Sequence, residues 1–170
     1  MLIERSRFID VLKDAYSAYY NLVEDVETEL PLAFRADYKD RDEQFFLVKS
    51  AKIWANEKNE YAYIFSAPRF DAALVKACAD YALADGLPRV RPHKEHQCTN
   101  IKVVLVSDEA GEEAEKAVKK LRFSQNYKLG LWGYTNLLAG IVDMQSKKTV
   151  TNFAGHELAP FFTKLFAVRE

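Results

Sequence analysis

Two histidines, a cysteine and three basic side chains fall within one short stretch, Arg89-Val90-Arg91-Pro92-His93-Lys94-Glu95-His96-Gln97-Cys98. Imidazole and thiolate suit Zn²⁺ or another transition metal, which makes His93, His96 and Cys98 candidate ligands for a divalent ion. A closed zinc site would need a fourth donor, and only His156 and Cys78 remain as nitrogen or sulfur donors. The same stretch admits a second chemistry. Arg89, Arg91 and Lys94, with His93 and His96 adding charge below pH ~6.5, would cradle a phosphate or carboxylate, because guanidinium forks match both. Lys49 and Lys52 would join this anion site if the loop folds back over the sheet. The plain alternative is a solvated basic loop whose imidazoles cap backbone groups.

Other chemistry-bearing groups read more simply. Trp54, Trp132, Tyr61, Tyr63 and Tyr134 would line a pocket or stack bases, but aromatic residues at strand periodicity usually form core and cross-strand pairs. Glu24, Asp25, Glu27 and Glu29 lack the spacing of a calcium loop and suit a charged edge strand. Gly130, Gly133 and Gly140 carry no phosphate-loop or dinucleotide fingerprint. No Ser or Cys has the surroundings of an activated nucleophile.

The elements that must position these residues follow from periodicity. Phe8, Leu12, Ala15, Tyr16 and Tyr19 predict a helix over about residues 5–19. Phe34, Ala36 and Tyr38 alternate with Arg35, Asp37 and Lys39 as a half-buried strand. Phe45 to Trp54 and Glu60 to Phe65, joined by a polar link, predict a long central antiparallel hairpin. Phe70, Leu74, Ala77, Cys78 and Tyr81 mark a second helix that stops at Asp85-Gly86 before Pro88. Ile101 to Val106 reads as a strand covered on both faces. Ser107 or Asp108 would cap a third helix with acids in its first turn and Lys119, Lys120 and Arg122 in its last. Tyr127–Tyr134, Leu137–Met144 and Thr149–Thr151 read as strands. A last helix carries Leu158, Phe161, Phe162, Leu165 and Phe166, with Pro160 in its first turn. The expected fold is α+β (mixed α/β): a single, mostly antiparallel sheet with a strand meander, flanked by about four helices, in one domain over 1–170.

Composition narrows the function classes. Basic and acidic residues nearly cancel, 24 against 25, so no global field favours nucleic acid or an anionic membrane. No apolar run approaches the roughly 18 residues of a membrane span, and the N-terminus lacks the apolar core of a signal peptide. Two cysteines are too few for a disulfide framework, which points to reduced thiols and the cytoplasm.

Three pieces of the chain resemble an uncharacterised family of small bacterial proteins, mainly from anaerobic Firmicutes. They are Lys52-Ile53-Trp54-Ala55 with Glu57 and Asn59-Glu60-Tyr61; Pro92-His93-Lys94-Glu95-His96; and Thr151-Asn152 with Gly155 and Glu157 before a Phe-Phe helix. That resemblance spans nearly the whole chain and implies a self-contained domain without implying an activity. The order of helices and strands also resembles the core of restriction-endonuclease-like nucleases. In that reading Asp37 would be the first metal-binding acid and Lys49 or Lys52 the lysine. The acid expected two residues before each lysine is instead Leu47 or Ser50, which breaks the pattern that metal-assisted hydrolysis requires.

The leading expectation is a non-catalytic cytoplasmic module that binds an anionic small molecule or a protein partner through residues 89–98 and the adjoining sheet. The alternatives are a metal-dependent hydrolase or nuclease with a divergent site, and a structural homodimer subunit held by an exposed apolar patch.

Overall fold

The computed structural model describes residues 3–38 and 57–168. Within them the order is α1 (Arg5–Ser17), β1 (Tyr20–Val23), β2 (Leu32–Tyr38), β3 (Glu57–Ala67), α2 (Ala72–Gly86) and β4 (His96–Ser107). Then come α3 (Glu112–Lys120), β5 (Ser124–Asn126), β6 (Tyr134–Asp143), β7 (Lys148–Thr151) and α4 (Leu158–Ala167). The strands form one sheet in the order β1-β2-β3-β4-β6-β5, with β7 paired to the far half of β6.

The sheet is mixed rather than mostly antiparallel. β1, β2 and β3 form the expected antiparallel meander, but β3–β4 and β4–β6 are parallel along nearly their whole lengths. The cause lies in the connections. α2 and α3 each carry the chain back across the sheet, so β3, β4 and β6 all start at the same end. The apolar run in β4 belongs to this arrangement, since a parallel strand is covered on both faces. Of the expected central hairpin, Glu60 to Phe65 lies inside β3. The strand expected at Phe45–Trp54 falls outside the described residues, as do Lys49 and Lys52.

Strand alternation sends side chains to two cores. On one face, Phe8, Leu12 and Tyr16 of α1 and Phe162 and Phe166 of α4 cover Phe34, Ala62, Ile64, Val104 and Val142. Phe8 and Phe166 stack with ring centroids 4.9 Å apart. On the other, Val75, Cys78 and Ala82 of α2 and Ala114 and Val118 of α3 cover Phe65, Ile101, Val103, Leu105 and Ile141. Each large apolar side chain buried this way contributes about 1.5–3 kcal/mol. The last turn of α2 lies so close to the sheet that a Cβ at Gly86 would sit 2.9 Å from Ile101 Cδ1.

Two further expectations shift. Ser107 ends β4 and donates to the Val142 carbonyl, so it does not cap α3. That helix starts after Gly111, with Glu112, Glu113 and Glu115 in its first turn, while Arg122 lies beyond its end. The strand expected at Tyr127–Tyr134 is a short strand, Ser124–Asn126, followed by a tight loop.

Candidate functional site

The N-terminal ends of the three parallel strands lie side by side, with Glu57 in register with His96 and Cys98 in register with Tyr134. Residues 89–95 lead into this end, and it scatters the residues that looked like one site. His96 is buried as the first residue of β4: Nδ1 lies 2.6 Å from the Trp132 carbonyl and Nε2 2.8 Å from Thr99 Oγ1. A carbonyl only accepts, so Nδ1 carries a proton, and both ring nitrogens are occupied inside the protein. His93 is half-exposed, and its Nε2 lies 2.5 Å from Glu57 Oε2. The two imidazole centroids are 6.3 Å apart. Cys98 is buried beside Tyr134, whose phenol burial and the thiol together push upward in pKa. Among the described residues, no three His, Cys, Asp or Glu side chains converge as the ligands of one ion would.

The arginines turn inward or back on the chain. Arg89 stacks over the Tyr61 ring at 4.0 Å and reaches Asp37 at 2.9 Å and the Tyr63 hydroxyl at 2.8 Å. Burial alone would lower its pKa, but the hydrogen bonds to Asp37 and Tyr63 more than offset that, so the guanidinium is held charged. Arg35 completes the network with contacts to Asp37 at 3.3 Å and Asp85 at 3.4 Å, and the Tyr63 hydroxyl donates to Asp85 at 2.6 Å. Two acids and two bases thus join β2, β3 and the end of α2. Asp37, the acid of the nuclease resemblance, is engaged by two guanidinium groups. Arg91 Nη1 donates to the carbonyls of Pro88 and Val90, and Lys94 is exposed.

The opposite face of the same end carries a group of residues that sequence reasoning missed. By alternation Tyr38, Glu60, Asn100 and Asn136 stand on the face of α1 and α4. Tyr20 pairs with Tyr38, Glu60 with Asn100, and Asn100 with Asn136. One row deeper, Lys102 Nζ lies 2.8 Å from Glu60 Oε2, which also accepts from the Tyr20 hydroxyl. Burial first, and then the Glu60 carboxylate, push the Tyr20 phenol upward. Asn100 and Asn136 are only partly covered, and among the described residues no hydrogen bond ties either carboxamide to another side chain or backbone group. The available signal was Lys102 itself, a charge inside an apolar run whose neighbours are core.

Residues 127–133 form a second exposed feature at this end. Lys128 and Leu129 have φ of 49° and 56°, a left-handed conformation that side chains with a Cβ resist. Leu129 and Leu131 project fully into solvent, and Lys128 lies over the Trp132 ring at 4.9 Å. Backbone bonds from Gly130 and Trp132 to the Tyr127 carbonyl close the loop, and His96 holds it from beneath. Gly133 has φ of 79°, and a Cβ there would lie 2.2 Å from the Gln97 carbonyl oxygen, so only glycine fits.

The third piece of the sequence resemblance has a structural role. Asn152 is buried. Its Oδ1 accepts from the Ala139 and Gly155 amides, and its Nδ2 donates to the Leu121 and Leu137 carbonyls. Of the other two pieces, Glu57 and His93 meet directly, while Glu60 lies in the polar row. A family model spans residues 4–164 and is described as a domain of unknown function, DUF8052. The chain belongs to that family. No curated protein and no solved structure matches it. No described helix is long and apolar enough to cross a membrane.

Proposed function

We propose that this DUF8052 chain is a non-catalytic binding module of the bacterial cytoplasm, and that it takes a small polar molecule on the row Tyr20, Tyr38, Glu60, Asn100, Asn136 with Lys102 behind it. One observation carries the reading. Two carboxamides on central strands stand partly covered and without hydrogen-bond partners among the described residues, beside an ion pair that is already formed. Two buried thiols, Cys78 and Cys98, suit a reducing compartment. An anionic ligand held by residues 89–98 would find Arg89 already matched by Asp37 and Tyr63 and one fork of Arg91 on backbone carbonyls, so the ligand is assigned to the row instead.

The test is a thermal-shift screen of a metabolite library against the wild type and an Asn100→Ala/Asn136→Ala variant. Stabilisation of the wild type that disappears in the variant supports the reading. Compounds that stabilise both equally place the ligand elsewhere and refute it.

A second reading, association with another copy of the chain, rests on Leu129 and Leu131, which are exposed on a loop closed by backbone hydrogen bonds. Sedimentation velocity across concentrations would detect a dimer that Leu129→Ser/Leu131→Ser abolishes. A monomer at all concentrations would remove it.

A further inference from the structure

The ion pair inside the polar row restricts what that row can bind. We infer that the ligand is a neutral polyhydroxylated molecule, a sugar or cyclic polyol, an inference that rests on the small-molecule reading above. A charged ligand would weaken the attraction between Lys102 and Glu60. An anion would compete with Glu60 for the ammonium, and a cation would compete with Lys102 for the carboxylate. Both groups are mostly buried, and separating such a pair leaves an uncompensated charge in a poorly solvated place. A neutral ligand adds hydrogen bonds while the pair stays intact.

The hydrogen-bonding inventory fits hydroxyl groups in particular. A hydroxyl both donates and accepts, and each carboxamide offers an acceptor oxygen beside an NH₂ donor. Asn100 and Asn136 present that combination twice, on strands about 4.8 Å apart. That spacing resembles the separation of alternate hydroxyls around a pyranose or cyclitol ring. Glu60 uses one oxygen, Oε2, for both Tyr20 and Lys102, so Oε1 remains as an acceptor for an O–H. Lys102 retains two further N–H donors. Tyr20 and Tyr38, packed edge to face at 5.6 Å, border the row with aromatic surface, against which the C–H face of a sugar ring packs. Glu60, Asn100 and Asn136 span two strand spacings, roughly 10 Å, which one hydroxylated ring bridges, and Tyr38 borders them from the next strand.

The experiment uses the full chain. Backbone and side-chain amide chemical shifts are followed by two-dimensional NMR during titration with glucose, N-acetylglucosamine, trehalose and myo-inositol. Inorganic phosphate, glutamate and spermidine serve as charged comparators. At least one neutral compound is expected to saturate at millimolar concentration and to shift the NH₂ signals of Asn100 and Asn136. Asn100→Ala/Asn136→Ala should weaken that binding at least ten-fold. Its melting temperature should stay close to wild type, since neither carboxamide makes a hydrogen bond among the described residues, so lost binding is separable from lost folding. If only charged compounds shift the row, the small-molecule reading stands and the neutral-polyol assignment falls. If no compound of either kind reaches the row, both fall.

Discussion

Replacing His96 by phenylalanine separates the internal role of this histidine from a ligand role. Phenylalanine puts a somewhat larger aromatic ring in the same place and removes both polar nitrogens. The Trp132 carbonyl and the Thr99 hydroxyl then lose partners at 2.6 and 2.8 Å. Each such polar group left without a partner costs about 1–3 kcal/mol, so the expected loss is about 2–6 kcal/mol. For a chain of this size that corresponds to a fall of roughly 4–24 °C in Tm. His93→Ala is the matched control. Its pair with Glu57 is 43% exposed on the histidine side, and such pairs contribute about 0–1 kcal/mol. Urea unfolding followed by far-UV circular dichroism should give a clearly lower midpoint for His96→Phe at unchanged m, and a near-native midpoint for His93→Ala. Zinc titration of the wild type by calorimetry runs alongside. The reasoning is refuted if His96→Phe unfolds within 1 kcal/mol of the wild type while zinc stabilises only the wild type. That result would make His96 a ligand released from its internal bonds.

Asn152→Ala removes four hydrogen bonds to backbone groups of three separate segments, a loss of about 4 kcal/mol at roughly 1 kcal/mol each. The same urea assay measures it, and a loss below 1 kcal/mol would mean that water replaces the carboxamide. Burial raises the phenols of Tyr16, Tyr20 and Tyr63 above their ordinary value. In the unfolded chain these groups lose their protons near pH ~10, so above that pH the unfolded state binds fewer protons and stability falls as pH rises. Absorbance at 295 nm should show the three phenols titrating only with unfolding, while a smooth titration of all nine tyrosines in the folded protein would contradict it.

Which parts of this fold were legible depends on how local the cause was. α1, α2 and α4 follow from apolar spacing and from Gly86 and Pro160, which act within a turn of themselves. Strand direction is not local. Nothing in Ile101–Val106 says whether its neighbours run with it, and the parallel pairing of β3, β4 and β6 arises from where α2 and α3 return the chain. Residues 127–133 alternate like a strand, but Gly130 and Gly133 permit positive φ, and His96, far away in sequence, completes the loop by binding the Trp132 carbonyl. The cluster at 89–98 misled for a related reason. Nearness in sequence put His93, His96 and Cys98 together, while β4 begins at His96 and buries it within three residues of a half-exposed His93.

The polar row shows why the site has to be argued from satisfied and unsatisfied groups rather than from topology. In open α/β sheets ligands usually lie beyond the C-terminal ends of the parallel strands. Here that end is tied off: Asp143 accepts from the Ala110 and Ser146 amides, and Arg5 joins Asp108 to Ser66. The shallow groove beside it is lined by charges already paired with each other, Arg5 with Asp108 and Arg69 with Glu109. At the opposite end, the β-sheet ladder satisfies the backbone of Asn100 and Asn136, and among the described residues nothing bonds their side chains. A polar side chain on a central strand is costly unless something meets it. Lys102 and Glu60 meet each other and Tyr20, whereas the two carboxamides depend on whatever arrives from solution.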